Sequence, residues 1–489
     1  MSHKKLLPSR LEGFRVHMVG IKGTGMTALA ELLVSRGASI TGSDVPDEFY
    51  TDAILKSLGI HVRTPFSEGN LDADAKLVIH SAAYKPQEHP ELISAATLGI
   101  PVLRYSDALG ELSSLFWSCG VAGVHGKTTT TGMVGTLLKN LDMPASVLAG
   151  SAIASFGDRC TMLNGTTYFV AETCEYQHHF MAFHPKKIIL TSIESDHQDC
   201  FPDYSAILAA FMQYINLLPQ FGELIYCADD PGACEAARMV FPSRPDLVYT
   251  AYGVKACGDY QVRIKGVKNE RLVFTLKGFT GEFKLPVPGE HNARNAAAAV
   301  ALCASLLREA GRPVDINSTG KMREALEQFR GSKRRTELLG EAAGVLFIDD
   351  YGHHPTAIKT TLSGLKQFYP GRRIVVDFMS HTYTRTAALL DGFARCFSSA
   401  DEVILHKIYA SARETYSGDV TGQKLYEAVR KRHKRVSYYE EVMDAREYLA
   451  SSLKKGDLLV TMGAGDNWKL GRSLYEDFLK IVPKTGKKK

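Results

Sequence analysis

A segment rich in glycine and threonine, Gly123–Thr131, constrains this chain more than any other feature. It follows an apolar run and precedes a helical pattern, so the sequence predicts a strand, a phosphate-binding loop and a helix in that order. The backbone N–H groups of such a loop and the positive N-terminus of the helix bind phosphate oxygens. Lys127 adds a positive charge beside the transferred phosphate, and the Thr128 hydroxyl can bind Mg²⁺. The segment therefore predicts a nucleoside triphosphate site.

The loop is a shortened variant of the general phosphate-loop pattern. That pattern has a glycine at the place of Val121, whereas here Gly120 and Gly123 flank the place. We expect the loop to contact the triphosphate through the residues Gly123, His125, Gly126, Lys127, Thr128 and Thr129.

Length and composition favour a large folded enzyme. A chain of 489 residues exceeds one ordinary core, so about two to four domains are expected. No apolar run approaches the ~20 residues of a membrane span, and no leader-like segment is present, so a cytoplasmic location is the expectation. The 9 cysteines form no CxxC pair, and we therefore expect reduced thiols, without structural zinc or disulfides.

The charge pattern gives no sign of a nucleic-acid partner. The formal net charge of +5 is modest for this length. Basic residues concentrate only at the end, in Lys484 and Lys487–Lys489, and this run predicts a solvated terminus and not a nucleic-acid-binding arm.

The first part of the chain has the pattern of a βαβ unit. Phe14–Val19 is typical of a buried strand and Met26–Ser35 of a helix, with a glycine-rich turn between them. Gly23–Ala28 matches the dinucleotide fingerprint GxGxxA, and Asp44 lies where a ribose-binding acid is expected. These features indicate a pyrophosphate-and-ribose site, which NAD and UDP-linked compounds would satisfy equally well.

Strands and helices continue to alternate after this unit, which is typical of an α/β protein with parallel sheets. The phosphate loop belongs to a second unit, and a third begins near Gly331. We therefore predict three domains at residues 1–112, 113–330 and 331–489. The stretch Tyr260–Leu285 alternates like antiparallel strands and is expected to be an insertion or an extension of a sheet.

Polar side chains follow two predicted strands of the second domain. Glu172 comes directly after Tyr168–Ala171, and Glu194–His197 follows the strand predicted at Ile188–Ile193. Because strand ends in an open α/β sheet face one crevice, we expect these side chains beside the phosphate loop.

This arrangement predicts two metal sites. Thr128 and Glu172 would hold one Mg²⁺ ion between the phosphates, while His197 and Glu172 would hold a second ion near the acceptor. Glu175 and Asp199 lie close by in the sequence.

Three further polar clusters are candidates for binding. Gly289–Asn295 opens an alanine-rich helix, where amide and imidazole groups can hydrogen-bond a base or phosphates. Lys333–Arg335 offers a guanidinium for the phosphate charge that develops during transfer. Asp349–Pro355 brings two acids, an aromatic ring and two histidines to one turn at a strand end.

Together these motifs resemble those of the Mur ligases, the ATP-dependent amide-forming enzymes of peptidoglycan synthesis. The resemblance covers nearly the whole chain and depends on the order and number of the motifs. Besides the phosphate loop, it rests on Gly20–Met26, Ser81–Ala83, Glu172, Ile193–His197, Gly289–Asn292, Asp349–Pro355, His381–Thr386 and Gly463–Asp466.

The resemblance implies a Rossmann-like N-terminal domain that binds UDP, a central P-loop ATPase domain with a parallel sheet, and a Rossmann-like C-terminal domain that brings in the amino acid. It also implies ATP and Mg²⁺ as cofactors. The implied contacts to the UDP-sugar are Gly20, Lys22, Gly23, Thr24, Gly25, Met26, Asp44 and Ser81.

The resemblance also implies roles in the other two domains. Lys127, Glu172 and His197 are expected to take part in catalysis through the triphosphate and its metals. Tyr351, His381 and Arg385 are expected where the amino acid meets the activated carboxylate, with His381 and Arg385 at the alanine carboxylate. Further implied contacts to ATP are His291, Asn292, Asn295, Arg335 and Asp350, the last at the ribose.

The implied activity joins L-alanine to the lactoyl carboxylate of UDP-N-acetylmuramate through an acyl phosphate. A recycling ligase that attaches a tripeptide to the same UDP-sugar shares most motifs, but Tyr351-Gly352 in the third-domain turn favours the single alanine. An NAD-dependent oxidoreductase is the alternative from another class, against which the phosphate loop argues. We expect small-molecule substrates only, and a monomer or a homodimer.

Two residues depart from the family's usual motifs. Cys174 stands where an acid usually follows the metal glutamate, so the geometry of the second metal site can differ. Thr382 stands in the usual place of an arginine, which removes a positive charge near the substrate and leaves Arg385 to supply it.

Overall fold

The first sheet of the protein consists of five parallel strands. The structure is a computed structural model, and it describes residues 5–197, 200–410, 418 and 420–481. The predicted tail, Lys484 and Lys487–Lys489, and Asp199 lie outside these residues. The elements are β1 (Arg15–Val19), α1 (Thr24–Ser35), β2 (Ser39–Ser43), α2 (Asp52–Ser57), β3 (Val62–Arg63), β4 (Leu77–His80), α3 (Pro90–Thr97), β5 (Val102–Arg104) and α4 (Tyr105–Ser113), with a 3-10 turn at Glu68–Asn70. The strand order β3-β2-β1-β4-β5 confirms the expected βαβ start.

The second sheet has seven strands and carries the phosphate loop between its first strand and the helix that follows. Its elements are β6 (Trp117–Ala122), α5 (Lys127–Asn140), β7 (Ala145–Ile153), β8 (Arg159–Leu163), β9 (Tyr168–Glu172), β10 (Lys187–Leu190), α6 (Tyr204–Ile215), β11 (Glu223–Cys227), α7 (Pro231–Val240) and β12 (Val248–Tyr252), with 3-10 turns at Ala154–Phe156 and Tyr176–Ala182. The order is β12-β11-β10-β6-β9-β7-β8, and β8 pairs antiparallel with β7 while the other pairs are parallel.

A small antiparallel sheet and two helices complete the central part of the chain. The alternation seen at Tyr260–Leu285 is confirmed by β13 (Val262–Val267), β14 (Leu272–Leu276) and β15 (Phe283–Leu285). The helices are α8 (Glu290–Glu309) and α9 (Ile316–Gln328). The alanine-rich face of α8 is buried and packs against α5, so the small side chains bring the helix close to the phosphate loop.

The third sheet has six strands in the order β16-β17-β21-β18-β19-β20, all parallel except β16. The strands are β16 (Glu337–Ala342), β17 (Val345–Asp350), β18 (Arg373–Met379), β19 (Glu402–Leu405), β20 (Val436–Tyr438) and β21 (Asp457–Gly463). The helices are α10 (Pro355–Phe368), α11 (Tyr383–Ala388), α12 (Leu390–Cys396), α13 (Gly422–Arg430), α14 (Arg446–Ser452) and α15 (Trp468–Ile481), with a 3-10 turn at Val442–Ala445.

The sheets fall in the order that the predicted domains require. The predicted boundary at residue 112 lies inside α4, and the exact domain limits stay a prediction. Within the described residues, no helix combines the length and the apolar character that a membrane span needs.

The strand predicted at Ile188–Ile193 is shorter in the structure and ends at Leu190. After that residue the backbone turns to bind the phosphate loop. The Thr191 hydroxyl donates to the His125 carbonyl at 2.5 Å, and the Ser192 carbonyl accepts from the Val124 N–H at 3.0 Å. The hydrophobic run therefore predicted the strand correctly but not its end, which is set by contacts with another segment.

A buried ion pair joins two strand ends of the third sheet. His406 and Asp377 are both fully buried, and Nε2 of His406 lies 2.7 Å from Oδ2 of Asp377. The Asn467 amide donates to the same aspartate. Burial lowers the pKa of His406, but the charge of Asp377 and the hydrogen bonds to Asp377 and the Tyr439 carbonyl together outweigh it, so that the pKa lies above its ordinary value of 6.5.

Replacing His406 with Gln should destabilise the third domain by about 3 kcal/mol at low pH, because Asp377 keeps a buried charge without its partner. The contribution of a histidine with a raised pKa is complete below its unfolded-state pKa and is lost as the pH rises through the folded-state pKa. The difference in unfolding free energy between wild type and His406→Gln should therefore shrink as the pH rises from about 6 to about 9.

The chain has two tryptophans, Trp117 and Trp468, and only the second lies in the third sheet's region. Urea unfolding followed by Trp468 fluorescence in a Trp117→Phe background would report on that region. The exposed His61, replaced by Gln, is the control. A destabilisation that stays constant with pH would contradict the charged pair.

Candidate active site

A cavity lies where the carboxyl ends of the second sheet's strands face the third sheet. Its wall brings together most of the side chains expected to bind a triphosphate. The predicted residues that line it are His125, Gly126, Lys127, Thr128, Thr129, Glu172, His291, Asn292, Asn295, Arg335 and Asp350. The spacing along the sequence could not show that these residues lie close together, because they come from five separate segments.

The two glycines of the loop serve different contacts. Gly126 has a φ of +81°, and a Cβ there would lie 2.8 Å from Oδ1 of Asn295 on α8. Gly123 has a φ of +131°, and a Cβ there would lie 2.1 Å from the Thr191 hydroxyl. Gly123 is therefore set behind the cavity wall, where it lets the loop pack on the segment after β10.

Lys127 forms a buried ion pair in this structure. Its Nζ lies 2.9 Å from Oε2 of Glu175, which is 1% exposed, and it also donates to the Gly123 carbonyl. Burial raises the pKa of Glu175, but Lys127 and the contact with His197 together outweigh it, and the net pKa is below the usual value. A phosphate that binds the loop therefore shares the lysine with Glu175 or takes its place.

Thr128 and Glu172 form the pair expected to bind a metal. The Thr128 hydroxyl donates to Oε2 of Glu172 at 2.7 Å, and the Gly150 N–H donates to the same oxygen at 2.7 Å. The carboxylate is thus fixed in position at the end of β9, beside the first turn of α5. A hydroxyl and a carboxylate oxygen fit Mg²⁺, which prefers hard oxygen ligands and completes its shell with phosphates and water.

His197 lies near a different carboxylate from the one expected. Its Nε2 is 3.5 Å from Oε1 of Glu175 and 3.9 Å from Oδ2 of Asp196. The shared second metal site of His197 and Glu172 therefore stays a prediction. Glu175, which the sequence placed only nearby, lies between Lys127 and His197.

The start of α8 forms one wall of the cavity. The Asn292 amide donates to the Pro288 carbonyl at 2.7 Å, and its oxygen accepts from Asn295 at 3.1 Å. Nδ1 of His291 is buried and has no hydrogen-bond partner within the part of the chain that the structure describes. Burial lowers the pKa of His291 to about 4. A neutral ring with a free polar atom is suited to the edge of a base.

Asp350 holds the segment 331–336, which leads into β16 of the third sheet and is called the linker below. Its Oδ2 accepts from the N–H and hydroxyl of Thr336, and its Oδ1 accepts from the Gly352 N–H. The guanidinium groups of Arg334 and Arg335 each lie 5.2 Å from the centre of the Tyr351 ring. Tyr351 therefore contacts the linker that joins the two halves of the cavity.

Arg385 forms a second buried ion pair, across the two sheets. Its Nε and Nη2 lie 3.0 and 2.8 Å from Oδ1 of Asp196, and its Nη1 donates to Nδ1 of His381 at 2.9 Å. Burial alone raises the pKa of Asp196, but Arg385 and His197 lower it well below its ordinary range. The expected roles of His381 and Arg385 at the alanine carboxylate stay predictions.

A second contact between domains joins the phosphate loop to α10 through Glu194. Oε2 of Glu194 lies 2.9 Å from Nε2 of His125, and its Oε1 accepts from the Thr356 hydroxyl at 2.7 Å. The ligand atoms of His125, Glu194 and His354 lie within 4.8 Å of one another, which is close enough for a cation. Since both oxygens of Glu194 already accept hydrogen bonds, we interpret the group as a contact between domains.

The residues expected to bind the UDP-sugar lie together at the strand ends of the first sheet. Tyrosines cover the glycine-rich turn: Tyr84 packs against Gly20, and Tyr105 against Gly25. The Tyr50 hydroxyl lies 2.8 Å from Oγ1 of Thr24. Of the remaining predicted residues, Gly23 lies in the same turn and Ser81 directly follows β4, while Met26 is in the first turn of α1 with its side chain in the core.

Asp44 and Lys22 have local partners in this structure. Oδ2 of Asp44 accepts from the Lys22 N–H at 2.7 Å, and the carboxylate is buried. Burial raises the pKa of Asp44 above its usual value. The Lys22 ammonium donates to the carbonyls of Val45 and Asp47. Both side chains thus hold the turn in shape, and their contact with a ribose or sugar stays a prediction.

The sequence placed Glu194 and Asp196 beside the phosphate loop and Glu175 nearby, but it assigned none of these three acids a binding or catalytic role. Glu175, Glu194 and Asp196 contact the loop lysine, the loop histidine and Arg385 respectively. All three follow strand ends that already carried a predicted ligand, and that position was the signal available in the sequence.

Three family descriptions match the chain in succession. They are a Mur ligase family catalytic domain at residues 15–117, a Mur ligase middle domain at 121–303, and a Mur ligase glutamate ligase domain at 334–465. Together they cover most of the chain.

Relatives with established names match over nearly their full length. The UDP-N-acetylmuramate--L-alanine ligase of Treponema pallidum (strain Nichols) is 57% identical over 97% of this chain and 99% of its own. The protein of the same name from Borreliella afzelii (strain PKo) is 39% identical over 95% of this chain and 98% of its own.

Solved structures share the arrangement of domains. A UDP-N-acetylmuramate-alanine ligase from Thermotoga maritima has a TM-score of 0.77 and 25% identity, and covers 96% of this chain and 100% of its own. A murein peptide ligase from Psychrobacter arcticus has a TM-score of 0.65 and 23% identity over 96% of this chain and 100% of its own, which shows the fold alone.

Lys127→Ala should have two separable effects. It leaves Glu175 buried without its main partner, which should lower the free energy of unfolding by about 3 kcal/mol. It also removes the charge that contacts the triphosphate, so binding of Mg·ATP should be lost. Adding Glu175→Gln should restore most of the stability but none of the binding, as measured by thermal unfolding and by calorimetric titration. An equal loss of stability in the single and double variants would refute the buried pair.

Proposed function

Because the chain belongs to the Mur ligase family, we propose that it joins L-alanine to the lactoyl carboxylate of UDP-N-acetylmuramate, using ATP, in peptidoglycan precursor synthesis. One observation carries the proposal most directly. A continuous row of contacts between ionisable side chains runs from Lys127 through Glu175, His197 and Asp196 to Arg385. This row supports the proposal because a ligase needs its phosphate loop close to its amino-acid site, and it connects Lys127 with Arg385, which we propose for the alanine carboxylate.

The reaction has two steps. A carboxylate is unreactive towards amines until one oxygen becomes part of a leaving group, so the lactoyl carboxylate first attacks the γ-phosphorus of ATP and releases ADP. The amine nitrogen of L-alanine then attacks the acyl carbon, and phosphate leaves. Lys127 and the loop N–H groups stabilise the charge that develops on the transferred phosphoryl group.

Mg²⁺ fits the oxygen donors of Thr128 and Glu172, and when bound it supplies positive charge that neutralises the phosphates. We propose a second ion at His197, with Glu172 or Glu175 as its carboxylate. The cavity further supports contacts of His291, Asn292 and Asn295 with the base or phosphates. Arg335 and Asp350 would contact the phosphates and the ribose.

We assign the UDP-sugar to the turn between β1 and α1. Thr24 and Gly25 are at the N-terminus of α1, where a pyrophosphate is stabilised by the helix dipole. The substrate carboxylate would reach from there towards the phosphate loop, with closure of the third domain keeping water from the acyl phosphate.

The two alternatives have less support. The murein peptide ligase shares the fold, whereas the full-length relatives of higher identity carry the name of the L-alanine ligase. An assignment as an NAD-dependent oxidoreductase does not explain why the cavity is lined by a phosphate-binding loop. We infer a cytoplasmic location, where ATP and UDP-sugars are available, and small-molecule substrates; a monomer and a homodimer are equally compatible with this function.

Phosphate release from ATP, Mg²⁺ and UDP-N-acetylmuramate would test the proposal, with L-alanine, glycine, L-serine and the tripeptide compared as amines. We expect kcat/KM to be highest for L-alanine. A preference for the tripeptide would identify a recycling activity, and no release with any amine would remove the ligase assignment. Lys127→Ala is the matched control and should abolish release while still binding the UDP-sugar, since Lys127 is not part of the turn between β1 and α1.

A further inference from the structure

The proposed reaction needs a proton acceptor. At neutral pH the amine of L-alanine is an ammonium ion, which has no lone pair and cannot attack the acyl phosphate. A group close to the amino-acid site must therefore remove a proton from the nitrogen before or during the attack. The sequence assigned this task to no residue.

Most of the titratable groups around Arg385 are already engaged. Nδ1 of His381 accepts a hydrogen bond from Arg385, so its lone pair is in use. Asp196 is ion-paired with the same guanidinium, and its Oδ1 accepts from both Nε and Nη2 of Arg385. Nδ1 of His354 accepts from the Thr356 N–H at the start of α10.

His353 has a different arrangement. Its Nδ1 lies 2.9 Å from the Tyr351 carbonyl oxygen, which can only accept, so Nδ1 carries the hydrogen. In the neutral ring the lone pair is then on Nε2, for which the described residues provide no hydrogen-bond partner. The ring is partly exposed and packs edge-on against Tyr351 and His381, with centroids at 5.1 and 5.6 Å.

We propose that His353 is the base that accepts the proton from the ammonium of L-alanine as its nitrogen attacks the acyl phosphate. One N–H bond breaks, its electron pair forms the N–C bond, and its proton passes to Nε2 and then to solvent. Phosphate leaves with the electrons of the C–O bond and takes the second proton that the amide nitrogen does not keep. The Tyr351 carbonyl fixes the tautomer that leaves Nε2 free. The inference rests on the proposed function.

The surroundings keep the ring neutral. His353 faces Arg385 and His381 from the segment around α11, Asp196 from the segment after β10, and Tyr351 from its own turn. Burial lowers the pKa of His353 most and Arg385 lowers it further, although Asp196 acts in the opposite direction. The net pKa lies below its ordinary value of 6.5, so the base form is present throughout the neutral range.

The test compares L-alanine with hydroxylamine in wild type and His353→Gln. Hydroxylamine is largely unprotonated at neutral pH and needs no base to attack an acyl phosphate. We expect kcat with L-alanine to fall by roughly 10²- to 10⁴-fold in His353→Gln, while hydroxylamine-dependent phosphate release stays within about twofold of wild type. Equal losses with both nucleophiles, or a raised KM with unchanged kcat, would overturn the proposal in favour of a structural or binding role.

The pH profile gives a second readout that needs no variant. With His353 as base, wild-type kcat for L-alanine should stay nearly constant from about pH 6.5 to about pH 8.5. Without a base it would rise about tenfold per pH unit, following the free amine. Such a rise in wild type would refute the proposal even if His353→Gln did not fold. Failure of the proposed function itself is distinguishable, because wild type would then release no phosphate with L-alanine.

Discussion

The ion pair between Asp196 and Arg385 is the contact on which the geometry of the cleft depends. Asp196 follows a strand of the second sheet, and Arg385 is in the third domain on α11. Both residues are almost completely buried, at 4% and 5% exposure. A buried pair of this kind is strongly directional, because each unpaired charge would be costly in the low-dielectric interior. It fixes α11, and with it His381, relative to the segment that carries His197.

The same principle operates at the phosphate loop. Lys127 has a buried carboxylate partner, so its charge is balanced before any nucleotide binds. A triphosphate brings its own negative charge, and the lysine can then exchange partners without ever being unpaired. Glu175 in turn contacts His197, so a change at the loop can reach this proposed metal ligand through a direct contact. The same contacts continue through Asp196 to Arg385 and so connect the phosphate loop with the third domain.

The sequence predicted the three-domain α/β fold, the phosphate loop and most of the cavity wall, because these depend on local patterns: an apolar run, a glycine turn and a helix start. It did not predict partners across domains. The contacts of Glu194 with Thr356 and of Asp196 with Arg385 depend on how two sheets pack. The spacing of residues along the chain does not indicate this packing. The predicted end of β10 was wrong for the same reason, since Thr191 and Ser192 turn away from the strand and bind the loop.

Thr382, which stands where the family usually has an arginine, changes the charge around Arg385. Arg385 has five N–H donors, of which Asp196 takes two and His381 one, so two remain on the outer nitrogens. They can still form a fork for a carboxylate, but Asp196 already balances the guanidinium charge. With a threonine in place of the family's usual arginine, an amino acid at this proposed site would meet little net positive charge. Its selection then depends on hydrogen-bond geometry more than on attraction between charges, which suits a small substrate whose carboxylate and amine must be placed together.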